Sequence, residues 1–65
     1  MNGTVADFDE RKGYGTIVDD DGAAWFFQCT QIADGTRTIA VGAPVRFDTM
    51  PRLGRYEATR ISPRP

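Results

Sequence analysis

The chain has 65 residues, enough for one domain with a small core. Its 40% hydrophobic and 26% charged content is that of a globular protein, and no apolar run approaches the roughly 18 residues of a membrane span. A single cysteine, Cys29, and the absence of histidine exclude an internal disulfide, Cys/His metal sites, and Ser-His-Asp or Cys-His catalysis. The formal net charge of −1 offers no global attraction to phosphate, so any affinity for nucleic acid must come from local charge and stacking.

No stretch of ten residues carries apolar positions at helical spacing; short β-rich runs are instead punctuated by turn clusters. The first run spans about Gly3 to Phe8 and ends in the charged turn "DERKG". The second, Tyr14 to Val18, closes at "DDDG". The third, Ala24 to Cys29, contains three consecutive aromatics in "AWFFQC". A long connection from Thr30 to Gly42 follows, with Ile32, Ile39 and Val41 as apolar anchors. The fourth run is Ala43 to Met50, with Pro44 at a strand start where its missing N–H is tolerated. After the turn "PRLG" comes the fifth, Arg55 to Ile61, and the tail "SPRP" is expected to be loose. These boundaries give one domain over residues 1–62 and a loose end over 63–65. Five strands in so small a domain are expected to close into a barrel, which leaves no exposed edge. The N-terminus has no apolar core behind a basic start, so no secretory signal is expected and a cytoplasmic location is.

Strand alternation assigns the faces. If Ile17 points inward with Gly15, then Tyr14 and Thr16 point outward. On the third run Trp25 and Phe27 share one face, and Ala24, Phe26 and Gln28 the other. A short barrel cannot enclose every ring, so Tyr14 and Phe26 are expected side by side on the surface. Gly13 lets the chain turn without strain, and Gly15 permits a bend or bulge. An exposed ring beside Lys12 combines a stacking surface with a phosphate partner, which suits single-stranded nucleic acid.

From "GTVADFDERKGYGTI" through "WFFQCTQI" and "DGTRTIAVGAPVRF" to "EATRI", the sequence resembles the bacterial cold-shock protein family. The family's first ribonucleoprotein motif, K-G-F-G-F-I, is matched by Lys12-Gly13-Tyr14-Gly15-Thr16-Ile17. Its second, V-F-V-H-F, is matched by Trp25-Phe26-Phe27-Gln28-Cys29. The resemblance implies an all-β fold, a five-stranded antiparallel Greek-key barrel of the oligonucleotide-binding type, holding single-stranded RNA or DNA across its second and third strands. It further implies an RNA chaperone or a modulator of transcription and translation.

The departures are as informative. Where the family's first strand reads K-W-F-N, this chain has Ala6-Asp7-Phe8-Asp9, so a lysine and a stacking tryptophan are gone. Thr16, Gln28 and Cys29 stand where the family has a ring, a histidine and a ring. The nucleic-acid-binding candidates are therefore Tyr14, Phe26 and Phe8 for stacking, with Gln28 for a base edge and Thr16 for a minor contact. Lys12, Arg37 and Arg55 are the candidates for backbone phosphates. Stacking is worth about 1–3 kcal/mol per base, so the lost platforms predict weaker binding than in typical relatives.

Each residue also has a plainer reading. Tyr14 and Phe26 could simply cover the barrel, Phe8 could complete the core, and Lys12 could sit in a solvated turn. Asp19, Asp20 and Asp21 lack the alternate spacing of a calcium loop and read as a turn. No cofactor, metal or membrane partner is expected, nor is enzymatic activity, and the oligomeric expectation is a monomer or weak dimer. The rival function is a barrel of the same fold repurposed for protein–protein interaction, favoured if Asp7 and Asp9 dominate the charge around Tyr14 and Phe26.

Overall fold

A computed structural model describes residues 1–64. Alternating burial builds five strands: β1 (Asn2–Asp9), β2 (Tyr14–Asp19), β3 (Ala24–Gln28), β4 (Pro44–Arg52) and β5 (Arg55–Pro63). They close into a barrel in the order β1-β2-β3-β5-β4. Every seam is antiparallel except one, where β3 meets β5 in parallel at Phe26 and Glu57. The inward residues Val5, Ile17, Phe27, Ile32, Val45, Phe47, Ala58 and Ile61 form one buried core. Among the described residues no helix is long and apolar enough to cross a membrane.

Two bulges reconcile the sequence with this core. On β1 the register shifts between Val5 and Asp7. The extra residue breaks strict alternation, so Val5 is buried, Asp7 lies exposed opposite Thr16, and Phe8 turns inward against Phe27. The sequence places the irregularity at Gly15; the bulge itself is on the facing strand. On β5 the register shifts opposite Arg46 and Asp48, with Arg60 at φ 51°. Ala58 and Ile61, three apart, both reach the interior because of it.

Several boundaries differ from the sequence reading. Cys29 leaves the sheet and begins a short 3-10 turn, Cys29–Gln31. β4 runs on through Pro51 and Arg52, leaving Leu53 and Gly54 as a two-residue hairpin loop with φ 41° and 85°. β5 extends through Pro63, paired with Val45, where a loose tail is the expectation from sequence. Arg64 then donates its N–H to the Pro44 carbonyl at 3.3 Å, and its guanidinium meets Asp20. Pro65, the last residue of that expected tail, lies outside the described residues. In the long connection Ile32 is buried and Ile39 half-buried, but Val41 is exposed and anchors nothing.

Trp25 fits neither a fully buried nor an expelled position. Its ring leans on Phe47, centroids 6.3 Å apart, while its indole N–H donates to Asp19 Oδ2 at 2.9 Å where β2 ends. The large residue is thus accommodated at a barrel end, with its one polar atom satisfied.

Candidate nucleic-acid interface

The outer faces of β1, β2 and β3 form a surface whose rows follow from register. One row runs Asp9–Tyr14–Gln28 and the next Asp7–Thr16–Phe26. Tyr14 and Phe26 are therefore diagonal neighbours, with ring centroids 5.3 Å apart and planes inclined by 39°. Tyr14 is exposed, Phe26 and Thr16 are half-exposed, and Gln28 is exposed at the end of β3. Sequence alternation anticipates this adjacency, and the geometry makes it a continuous apolar surface.

The turn before Tyr14 is built by Asp9. Its Oδ1 accepts the N–H groups of Arg11 at 2.9 Å and Lys12 at 3.0 Å. One carboxylate of the suspected acidic patch is thus turned into the loop as a cap rather than aimed across Tyr14. Gly13 follows at φ 79°, in the left-handed region that suits glycine, and its carbonyl accepts the Cys29 N–H at 2.7 Å. Lys12 is exposed and forms no ion pair among the described residues. Thr38 Oγ1 donates to Glu10 Oε1 at 2.6 Å, tying the long connection to this turn. That link brings Arg37, exposed at φ 60°, to the same end of the barrel as Lys12.

The remaining candidates divide. Phe8 is half-buried and stacked on Phe27, centroids 5.7 Å apart and planes within 6°. One face of that ring is committed to the core, so Phe8 does not join the Tyr14–Phe26 pair. Arg55 does: its guanidinium carbon lies over the Phe26 ring, 4.5 Å from the centroid. The same side chain pairs through Nε with Glu57 Oε2 at 3.4 Å, and Glu57 is buried. Sequence reading gives Glu57 no role: Arg55 lies two residues before it on the same face of β5, but the pairing of Glu57 with Phe26, which sets both beside the ring, arises only when β3 meets β5.

The two carboxylates with perturbed acidity lie away from this surface and act as turn caps. The Trp25 indole N–H, and then the Ala23 N–H, hold the Asp19 carboxyl below its ordinary value. The Thr36 N–H and hydroxyl do the same for Asp34. No group of three or more His, Cys, Asp or Glu positioned to hold a metal occurs among the described residues. The surface around Tyr14 and Phe26 presents two rings, the Gln28 amide and the Arg55 guanidinium.

A family model described as "'Cold-shock' DNA-binding domain" matches residues 1–64. No curated protein matches the chain in sequence. A closed five-stranded barrel with the two aromatic motifs on adjacent strands agrees with that match, and the chain belongs to the cold-shock domain family, a family of nucleic-acid-binding domains.

Proposed function

We propose that this protein binds single-stranded RNA or DNA with low sequence selectivity, by stacking unpaired bases on Tyr14 and Phe26. The observation that carries this reading is the pair of outward rings 5.3 Å apart on neighbouring strands. Rings offer a face to any base, so stacking discriminates weakly among sequences. Thr16 and Gln28 border the rings and supply hydroxyl and amide contacts. Lys12 and Arg37 neutralise backbone phosphates at the turn end, and Arg55 adds positive charge beside Phe26. Phe8 contributes at most one ring face.

The mechanism is mass action. Capture of an unpaired strand draws the pairing equilibrium towards the open form, as any ligand favours the state it binds. In the cytoplasm such an activity opens RNA secondary structure and so modulates transcription or translation. Three or fewer phosphate contacts imply a shallow salt dependence, with a log–log slope of about −0.7 per contact. With Asp7 and Thr16 in place of rings, affinity is set below that of typical relatives.

Anisotropy titration of labelled single-stranded oligonucleotides at low salt tests the reading. Micromolar or weaker saturable binding is the expected result, and nanomolar affinity contradicts the predicted weakness. Failure to bind at all supports the second reading, a protein-interaction module, which the exposed Asp7 opposite Thr16 favours.

A further inference from the structure

Arg55 occupies the place where a base would meet Phe26. Its guanidinium lies over the ring at 4.5 Å from the centroid, and its Nε is paired with Glu57 at 3.4 Å. The two restraints differ in kind. The ring attracts the cation through its π-face, while Glu57, 4% exposed, is a buried carboxylate among the core strands. Removing a buried charge's partner is strongly unfavourable, so Glu57 opposes any movement of Arg55 away from it. Arg55 itself remains well exposed, with 62% of its side chain accessible, so the side of the guanidinium turned from Phe26 is open to solvent.

We infer that the second base-stacking platform of this protein is the guanidinium of Arg55, backed by Phe26 and tethered by Glu57, rather than the bare Phe26 ring. The inference rests on the single-strand reading above and refines how that surface meets its ligand. A guanidinium is planar, delocalised and weakly hydrated, and it stacks on aromatic faces as well as on bases. A base seated on it extends a column of ring, cation and base beside a second base on Tyr14. Glu57 restrains the guanidinium through its contact with Nε, and a glutamine at position 57 keeps an oxygen that can accept from the same Nε.

Three roles for Arg55 are separable by experiment. Arg55→Ala alone leaves Glu57 buried without a cation and risks the fold, so the deletion is made together with Glu57→Gln and compared with Glu57→Gln alone. Each is titrated with labelled oligo-dT across a salt series, with Arg55→Lys as a further variant. The platform predicts that removing Arg55 weakens binding about tenfold, in line with one stacked base, without changing the salt slope. It also predicts that Arg55→Lys behaves like the deletion, because an ammonium has no plane to stack.

Tighter binding after deletion overturns the inference, since the guanidinium would then merely obstruct Phe26. So does a slope smaller by about 0.7 with full rescue by lysine, the signature of a phosphate contact. Unchanged affinity overturns it as well. If the unaltered protein binds no oligo-dT at low salt, the single-strand reading fails first and the inference falls with it.

Discussion

A Cβ placed on Gly15 would stand 2.3 Å from the Asp7 carbonyl oxygen and 2.9 Å from the Phe8 Cα. Both contacts are backbone on the bulged strand, so neither can swing aside. The glycine after Tyr14 is thus explained by the approach of β1 at its bulge, with the bend in the facing strand. Gly15→Ala is expected to destabilise the domain by about 1–3 kcal/mol, the range for overpacking a tight site. Urea unfolding measures it: the midpoint falls while the slope stays constant. An unchanged midpoint would mean that β1 is not held so close.

The three consecutive aromatics divide between recognition and core. Phe27 is fully buried, and truncation of such a ring costs about 3–5 kcal/mol. A domain this small has only a few kcal/mol to lose, so Phe27→Ala is expected to be largely unfolded by circular dichroism at 25 °C. Tyr14→Ala keeps a near-native melting midpoint and weakens oligonucleotide binding by about 1–3 kcal/mol. Equal loss of stability in both variants would contradict the assignment of faces.

Leu53 is fully exposed at φ 41°, the first residue of the β4–β5 hairpin loop, with Gly54 at φ 85° after it. Positive φ at both loop residues is the geometry of a type I′ turn, which asparagine followed by glycine satisfies well and leucine does not. Nothing is gained from the leucine side chain in solvent. Leu53→Asn is expected to raise stability by about 0.5–1 kcal/mol, visible as a rise of a few degrees in melting midpoint. A fall would show that the leucine is engaged in a way its exposure does not reveal.

Asp19 receives the Trp25 indole N–H and the N–H groups of Ala23 and Asp21, which hold its carboxyl below the ordinary 3.8. A carboxyl with a depressed value in the folded state binds its proton less readily than in the unfolded chain. Its stabilising contribution is therefore present above about pH 4 and is lost as pH falls through the lower folded-state value. Asp34, lowered by Thr36, acts in the same direction. Thermal midpoints should be flat from neutral pH to about pH 5 and decline below pH 4. Asp19→Asn should be less stable at pH 7 and show a shallower acid decline. A parallel decline in both proteins would remove Asp19 from the account.

Much of this was legible in the sequence because it is local. Alternation through Tyr14-Gly15-Thr16-Ile17 and Trp25-Phe26-Phe27-Gln28 gives the faces correctly, and the glycine–aspartate clusters mark most turns. What was not legible depends on contacts far apart in the chain. Phe26 and Glu57 meet only at the parallel seam that closes the barrel, so Arg55 appears from sequence as one more surface cation near a turn. The inward turn of Phe8 follows from a bulge whose position no residue type announces. Pro51 and Pro63 read as strand breakers, yet both lie within strands, Pro51 near the hairpin loop and Pro63 at the end of β5.

The most direct test of the central claim is an NMR titration of the labelled protein with oligo-dT and oligo-U. Shift changes confined to residues 12–16 and 26–28, with Arg55 and a smaller response at Phe8, are the predicted result. Spectra that stay unchanged at millimolar ligand, or changes centred on the opposite wall of the barrel, would contradict it.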